Sequence, residues 1–261
     1  MDDAAGRKTV DILGLSVDLV DMESTIRRAE ELIAGGGTHH VVVLCVDSIM
    51  IARRDMKFRS ICRRASLVVP DGVPLLWASR LLGSAIPGRV AGSDLLYELS
   101  RTASRKGYTC YFLGSTATVL ERLSEALTRL CPGLRIAGSC APPFFAEFPI
   151  EADTQIVRRI NESTPDILWV GMGAPKQERW IHANLNRLNA RIVIGVGAAF
   201  DICSGRVKRA PVWMQKSGLE WFHRFLLEPG RLFSRYFIGA APFFPLVLMQ
   251  GLKKAFGGRP R

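Results

Sequence analysis

Short apolar runs rich in valine and isoleucine alternate with segments of helical periodicity along most of this chain, and this alternation restricts the fold more than any other feature. The runs at 40–45 and 191–196 are apolar almost throughout, which is typical of strands buried on both faces. Segments of about 10 to 15 residues with helical character separate the runs, as in successive βαβ units. The sequence therefore predicts an α/β fold with a parallel sheet and helices on both faces.

The positions of the elements follow from these runs and from residues that begin or end helices. Asp21 is suited to cap the first helix, Asp55 interrupts the second helical segment, and Pro175 suits the first turn of a later helix. The predicted strands lie at 10–15 paired with 17–20, and at 40–45, 67–69, 110–113, 135–138, 166–170 and 191–196. The predicted helices lie at 21–34, 48–64, 73–82, 94–106, 117–130, around 156–161 and at 175–188.

The positive charge is concentrated near the C-terminus. The formal net charge is +11, and residues 204–261 contain 11 Lys and Arg against 2 Asp and Glu, together with 10 of the 22 aromatic residues. We therefore expect an α/β domain at 1–203 and a basic, aromatic, helical appendage at 204–261 that meets any acidic partner. The uncharged run at 236–252 has two prolines and is shorter than the ~20 residues of a spanning helix, so we expect it to be interfacial or packed.

Missing motifs exclude several kinds of site. The six cysteines form neither a CxxC nor a zinc-like spacing, the four histidines form no paired-ligand spacing, and there is no Asp-x-Asp pair. The chain lacks a Walker motif and a GxGxxG followed by an acidic residue, which argues against a nicotinamide-dependent oxidoreductase. The N-terminus does not resemble a signal peptide, so we expect reduced thiols in a cytosolic protein.

Polar and glycine-rich residues follow the predicted strands. In parallel sheets, ligands bind outside the carboxyl ends of the strands, where the loops at 71–72, 114–116, 171–177 and 195–201 would lie. The glycine loops are suited either to a phosphate at a helix N-terminus or simply to tight strand–helix turns. Asp71 is suited either to general-base chemistry or to capping the helix that starts near Val73.

Three further side chains are candidates on the same reasoning. Arg89 lies in a predicted loop and could hold a phosphate or a leaving group, although a solvated surface arginine has the same signature. Asp94 stands at the start of a helix, where capping is the favoured interpretation. Gln177 lies in the first turn of a helix and could read a sugar or a base edge.

The appendage carries three arginines at regular spacing. Arg224, Arg231 and Arg235 would lie near one face if a helix continued through Gly230. Arginines interleaved with aromatic residues fit an anionic membrane surface with pyrophosphate head groups. The same composition fits single-stranded nucleic acid, so both interpretations stay open at this point.

A series of ordered motifs spans about three quarters of the chain, between Val41 and Tyr236. They are VD (46–47), ARRD (52–55), VVPDG (68–72), RVAGSD (89–94), GMGAPKQE (171–178), GVG (195–197), FD (200–201), VKRAP (207–211), LEW (219–221) and EP (228–229). This set resembles the WecG/TagA/CpsF glycosyltransferases, the bacterial family 26 enzymes. The resemblance implies a Rossmann-like fold whose C-terminal appendage completes the site.

The resemblance also implies an activity and its site residues. Such enzymes are inverting, metal-independent transferases that need no cofactor. They move a sugar from a UDP-sugar donor to a polyprenyl-diphosphate-linked saccharide in cell-surface polysaccharide synthesis, as peripheral proteins on the cytoplasmic face of the plasma membrane. The catalytic residues implied are Asp71 and Arg89; the substrate-binding residues are Gln177, Asp94, Gly173, Gly197, Asp201 and Cys45; the residues for the acceptor diphosphate and the membrane are Arg224, Arg231 and Arg235.

One motif departs from the family pattern. Members often carry Thr-x-Asn at the end of the second strand, where this chain has Val43 and Cys45. The donor therefore stays open among an N-acetylmannosamine-like sugar, a hexose and a uronic acid, and so do the acceptor saccharide, the linkage and a homo-oligomeric state. Nucleic acid is not expected as a partner of the enzyme. The alternative function is a non-catalytic nucleotide- or single-stranded nucleic-acid-binding α/β module, for which Asp71 would not matter.

Overall fold

The computed structural model describes residues 6–143 and 149–256. It does not describe the side chains of Lys216, Arg231, Leu232, Arg235, Tyr236 and Ile238. The strands are β1 (Thr9–Ile12), β2 (Leu15–Asp18), β3 (His39–Leu44), β4 (Leu67–Pro70), β5 (Thr109–Gly114), β6 (Arg135–Cys140), β7 (Ile167–Gly171) and β8 (Ile192–Gly195). The helices are α1 (Met22–Gly35), α2 (Val46–Arg54), α3 (Met56–Arg63), α4 (Val73–Leu81), α5 (Gly92–Lys106), α6 (Ala117–Leu130), α7 (Ile150–Ser163), α8 (Lys176–Asn184), α9 (Ala199–Cys203), α10 (Val212–Lys216), α11 (Glu220–Leu227), α12 (Pro229–Phe233) and α13 (Phe243–Phe256).

Six of the strands form one parallel sheet in the order β4-β3-β8-β7-β5-β6. Side chains alternate between its two faces, so Val41, Trp169 and Ile194 enter one core cluster while Val42 and Val170 face the opposite side. Helices α1, α5, α6 and α9 contribute to the first cluster, and α2, α3, α4, α7 and α8 cover the other face. The predicted α/β class, with a parallel sheet and helices on both faces, is confirmed.

The opening pair of strands is an antiparallel hairpin that stands apart from the main sheet. Its last residue, Asp18, is buried and accepts a hydrogen bond of 2.7 Å from the backbone N–H of Val68 in β4. The Arg7 guanidinium lies 3.5 Å from the same carboxylate. The hairpin thus protects the outer edge of β4, whose unpaired backbone groups would otherwise be exposed.

Capping residues set the helix boundaries as the sequence indicates. Asp21 accepts from the backbone N–H of Ser24, and the Ser24 hydroxyl accepts from the backbone of Asp21, which makes a reciprocal capping box at α1. Asp55 separates α2 from α3 and caps α3 through the backbone N–H of Phe58. Thr116 caps α6 in the same way through Val119. These local signals explain why most predicted boundaries lie within a few residues of the observed ones.

The C-terminal segment is helical from α10 to α13, with a π-helical turn at Ser234–Gly239. Helix α13 packs on the body: Phe243 and Val247 are fully buried, and Gln250 exchanges hydrogen bonds with Asp11 and Leu13 of the hairpin. Among the described residues, no helix is both long and apolar enough to cross a membrane. The division of the chain at Ser204 stays a prediction, and α13 shares a core cluster with the body.

Candidate active site

The carboxyl ends of four neighbouring strands bring the candidate residues to one edge of the sheet. Asp71 follows β4, Cys45 follows β3, Gly197 follows β8 and Gly173 follows β7. These strands are adjacent in the sheet, so residues far apart in the chain meet at one edge. This is the edge at which open α/β sheets bind their ligands.

Asp71 is held by backbone interactions at the end of β4. Its N–H donates to the carbonyl of Leu44 at 2.8 Å, and its carboxylate accepts a hydrogen bond from the backbone of Gly92. The residue that follows, Gly72, has φ of +108°, which L side chains rarely adopt, and it occupies the N-cap position of α4. Asp71 therefore does not cap α4, and the capping alternative for this residue is wrong because the helix begins one residue too late.

The surroundings of Asp71 suit a proton acceptor. Burial raises the pKa of its carboxyl to about 6, the nearby Arg89 guanidinium opposes this, and the carboxylates of Glu220 and Asp94 add to it. A carboxylate with a pKa near 6 is ionised at neutral pH and is more basic than an ordinary aspartate. These are the properties that general-base catalysis requires.

Arg89 faces the site and is not a solvated surface arginine. The backbone N–H of Val90 donates to the carbonyl of Pro70 at 2.8 Å, so the loop that carries Arg89 continues beside the end of β4. The guanidinium donates to Glu220 at 2.9 Å, lies 3.5 Å from Asp94 and is 18% exposed. The surface interpretation is therefore wrong, because the nearby Asp94 and the distant Glu220 hold this side chain beside Asp71.

Asp94 belongs to the same ion-pair network. Arg209 makes a two-pronged contact with Asp94, at 2.5 Å and 2.8 Å, and its Nε donates to Glu220 at 3.2 Å. Ala91 is the N-cap of α5 and no side chain caps this helix, so the capping interpretation of Asp94 is wrong. We refer to Arg89, Asp94, Arg209 and Glu220 as the ion-pair cluster; it joins the loop before α5 to the appendage.

Gln177 joins two glycine loops. Its Oε1 accepts from the N–H of Gly173 at 3.0 Å and from the N–H of Gly197 at 2.9 Å, and its Nε2 donates to Glu178 at 2.8 Å. The side chain is buried, and a Cβ at Gly195 would lie 2.8 Å from Nε2. The amide thus organises the loops after β7 and β8, and its contact with substrate stays a prediction.

Close packing explains several glycines at this edge. Gly173 and Gly197 have φ of +80° and +53°. A Cβ at Gly114 would lie 2.7 Å from the backbone of Gly171, and a Cβ at Gly171 would lie 2.4 Å from the Phe200 ring. The tight-turn interpretation therefore accounts for these loops sterically, and phosphate binding by them stays a prediction.

Cys45 and Asp201 lie in different surroundings. Cys45 is half-buried at the N-cap position of α2, and its Sγ lies 3.4 Å from the Ser48 hydroxyl. Asp201 on α9 pairs with Arg206 at 3.2 Å, and its carbonyl accepts from the N–H of Val207. All six cysteines are free thiols. Substrate contacts of Cys45 and Asp201 stay predictions.

The three appendage arginines do not lie on one continuous helix. Helix α11 ends at Leu227 and α12 begins at Pro229, with Glu228 in a non-helical conformation between them (φ of −138°, ψ of 59°). Proline has no N–H to donate and disfavours a helical residue before it, so the condition for placing the three arginines near one face, a helix that continues through Gly230, is not met. Arg224 is half-buried, and its Nε has no hydrogen-bond partner among the described residues. The side chains of Arg231 and Arg235 lie outside the described part.

Sequence reasoning assigned no role to Arg209 or Glu220. Arg209 and Glu220 lie inside the VKRAP and LEW motifs, which were the available signals. Their partners stand 115 and 131 residues away, so spacing along the chain could not reveal the pairs. In the part of the chain that the structure describes, no three His, Cys, Asp or Glu side chains are grouped so that they could hold a metal ion.

The fold and the site define an α/β protein with an aspartate of raised pKa at the carboxyl edge of its sheet, beside two arginines that are ion-paired with acidic side chains. The sequence profile of the Glycosyl transferase WecG/TagA/CpsF family matches residues 10–256, and the chain belongs to this family. It is therefore a glycosyltransferase, and the resemblance seen in the motifs is confirmed.

Two curated relatives illustrate the similarity. A protein of Bacillus subtilis (strain 168) is 31% identical over 180 residues, which is 69% of this chain and 68% of that protein. A protein of Staphylococcus aureus (strain NCTC 8325 / PS 47) is 28% identical over 225 residues, 85% of this chain and 86% of that protein. Both are named N-acetylglucosaminyldiphosphoundecaprenol N-acetyl-beta-D-mannosaminyltransferase.

Proposed function

We propose that this chain transfers a sugar from a UDP-sugar to a polyprenyl-diphosphate-linked saccharide, with inversion, without a metal ion and with Asp71 as the general base. The observation that carries the proposal is the setting of Asp71, a carboxylate of raised pKa at the ligand edge of the sheet with Arg89 beside it. Family membership and the names of the relatives support the reaction class and a polyprenyl-diphosphate-linked acceptor.

The proposed chemistry is a single displacement. The acceptor hydroxyl attacks the anomeric carbon of the donor while its proton passes to the Asp71 carboxylate. The bond between the anomeric carbon and the UDP oxygen breaks in the same step, so the configuration at that carbon inverts. A positioned base of this kind contributes about 10² to 10⁴ in rate.

The leaving UDP gains negative charge that the protein must stabilise. Arg89, Arg209 and backbone N–H groups of the glycine loops, other than those of Gly173 and Gly197 that donate to Gln177, are the candidate donors at this edge. In this structure Arg89 and Arg209 are paired with Asp94 and Glu220. We expect Arg89 to exchange at least one of these carboxylates for the donor diphosphate, so that Glu220 occupies the place that the leaving group takes.

The donor sugar is the least determined part of the proposal. The names of the relatives support an N-acetylmannosamine donor, which is the first of the three candidates to test. Val43 and Cys45 stand where the family often has Thr-x-Asn, and Cys45 is half-exposed at the end of β3. Two polar groups expected near the sugar or the nucleotide are therefore missing, which keeps a hexose and a uronic acid in the test panel.

The proposed acceptor saccharide is attached to a polyprenyl lipid, and the appendage has an exposed apolar surface that could contact the membrane containing this lipid. The large apolar side chains exposed there are Val212, Trp213, Leu219, Trp221, Phe222, Leu226, Leu227, Phe233, Phe237, Phe244, Leu248, Met249, Leu252 and Phe256. Trp77 of α4 adjoins this apolar surface, with its ring 6.1 Å from that of Phe244. Exposed apolar area combined with a basic segment favours binding to an anionic leaflet.

We accordingly place the protein at the cytoplasmic face of the plasma membrane as a peripheral enzyme. Arg224, with its unpartnered Nε among the described residues, is the appendage arginine whose described geometry best supports a contact with the acceptor diphosphate. Arg231 and Arg235 remain proposed partners on the basis of the motif resemblance alone. A homo-oligomer also remains a proposal.

The decisive experiment measures UDP release from a panel of UDP-sugars with a polyprenyl-diphosphate acceptor analogue. We expect release with one donor only in the presence of acceptor, and we expect Asp71→Asn to abolish it while UDP binding is retained. Glu162→Gln is the matched control, because Glu162 is exposed on α7, away from the ligand edge. If no donor gives UDP release and the protein binds single-stranded nucleic acid through the appendage, the non-catalytic binding module is favoured instead.

A further inference from the structure

Glu178 is a buried carboxyl group that the proposed reaction does not use. It lies on α8 directly after Gln177 and is 1% exposed. Its Oε1 accepts from Gln177, while its Oε2 has no hydrogen-bond partner among the described residues. Burial raises the pKa of this carboxyl. The neighbouring Arg179 pairs instead with Asp55, the N-cap residue of α3.

Among the described residues Glu178 forms no ion pair, and burying an acidic group without a cationic partner is costly, so its presence calls for an explanation. The contact with Gln177 supplies one. Both lone pairs of the Gln177 Oε1 are engaged by the N–H groups of Gly173 and Gly197. If the amide were flipped, its NH₂ would face these two donors and its oxygen would face Glu178. The carboxyl oxygen of Glu178 therefore adds to the two glycine N–H groups in favouring the amide orientation that joins the two loops.

The loops that Gln177 joins are the ones proposed to meet the donor. They follow the adjacent strands β7 and β8, and a Cβ on Gly197 would lie 3.7 Å from the Cα of Gly173. Both glycines have left-handed φ values, so each loop departs from strand and helix geometry at that residue, although the Gly173 carbonyl still accepts from the N–H of Gln177. The N–H groups of Gly173 and Gly197 both donate to the buried Gln177 side chain, and these two hydrogen bonds join the loops.

We propose that Glu178 is a positioning residue that fixes the amide orientation of Gln177 and thereby sets the geometry of the Gly173 and Gly197 loops for the UDP-sugar donor. This inference rests on the proposed function for its donor, whereas the arrangement of the loops can be tested without any ligand. Glu178 acts only through Gln177 and does not touch the reacting atoms.

The test compares Glu178→Gln, which keeps an acceptor oxygen for Gln177, with Glu178→Leu, which has a similar size and no acceptor. We expect Glu178→Leu to weaken UDP binding by about tenfold, the effect of one misplaced buried hydrogen bond, and Glu178→Gln to stay within about threefold of the parent. The KM for the donor should change in parallel with UDP binding, and kcat should change less.

A double-mutant cycle separates this role from a general structural one. If Glu178 acts through Gln177, then Glu178→Leu has no further effect on UDP binding once Gln177→Leu is present. Additive effects in the double variant, or equal damage from Glu178→Gln and Glu178→Leu, would overturn the proposal. If Glu178→Leu does not fold, Glu178→Asp takes its place, because the shorter side chain withdraws the carboxyl from Gln177.

Amide hydrogen exchange in the free protein distinguishes a failure of this inference from a failure of the proposed function. We expect peptides covering 171–175 and 195–199 to exchange faster in Glu178→Leu than in the parent, with Glu178→Gln close to the parent. If exchange changes as expected but the parent binds no UDP, the loop arrangement stands and the donor assignment is wrong. If exchange in these peptides is unchanged by Glu178→Leu, Glu178 does not position the loops.

Discussion

The Asp71→Asn variant should lose turnover and gain stability, because the same environment raises the basicity of Asp71 and disfavours its ionised form in the folded state. The folded-state pKa is about 6 against an ordinary value of 3.8. A difference of this size corresponds to about 3 kcal/mol of folding free energy at neutral pH. Asparagine keeps the shape and can accept the hydrogen bond from Gly92, so it removes the charge with little loss of packing.

The pH dependence of this gain follows from the direction of the shift. Above the folded pKa, Asp71 is ionised in both states and the full destabilisation is present. As the pH falls from about 6 towards 3.8 and below, the carboxyl becomes protonated in both states and the destabilisation disappears. Asp71→Asn should therefore be more stable than the parent at pH 7 to 8, by up to about 3 kcal/mol, and equally stable near pH 3.

Urea unfolding at several pH values, with turnover measured on the same preparations, checks both halves of this prediction. Glu162→Gln is the control, since its exposed carboxylate should change neither quantity. The reasoning is refuted if the stability difference between Asp71→Asn and the parent is the same at pH 4 and pH 8. It is also refuted if turnover stays within about tenfold of the parent, below the usual effect of a general base.

Three further predictions follow from the site and the surface. Glu220→Gln should lower the pH midpoint of kcat/KM below that of the parent, because the Glu220 charge helps to raise the pKa of Asp71; a pH profile in which the midpoint rises would contradict this. Transfer should be unchanged by EDTA, and activity that is lost on chelation and restored by Mn²⁺ or Mg²⁺ would contradict the metal-free mechanism. The double variant Leu248→Glu, Leu252→Glu should lose co-sedimentation with phosphatidylglycerol vesicles, and the loss should be larger at high salt, where the attraction of the basic residues is screened. Leu130→Glu on α6, at a similarly exposed leucine, should still pellet; equal pelleting of the two variants would rule out the apolar surface as the contact.

The candidate site was only partly predictable from the chain. Asp71 and Arg89 stand next to glycine at a strand end and in a loop, which is a local pattern that sequence reasoning can find. The choice between base and cap for Asp71 depended on whether α4 begins at Val73 after an N-cap Gly72, a difference of one residue that propensities do not resolve. For Asp94, the choice depended on Arg209, which reaches it only in the folded chain.

The role of Gln177 was also only partly predictable from the sequence. Its position in the first turn of a helix was visible in the sequence, and a polar side chain there reads naturally as a ligand contact. The structure shows it buried, with its carbonyl oxygen shared between two loops that belong to different strands. In the sequence, a glutamine that bonds to backbone groups looks the same as a glutamine that binds a ligand. Only the positions of the two loops in the folded chain distinguish the two roles.

By itself, the sequence determined the α/β class, most element boundaries and the edge of the sheet where the site lies. These follow from apolar periodicity, capping residues and the parallel direction of the strands, which are properties of neighbouring residues. Only the tertiary structure decided the strand order, the ion-pair cluster, the hydrogen bonds by which Gln177 joins two loops and contacts Glu178, and the burial of α13 in the core. The reason is physical: pairs such as Arg89 with Glu220 are brought within hydrogen-bond distance by the packing of the whole chain, and no local preference encodes which distant charge each will meet.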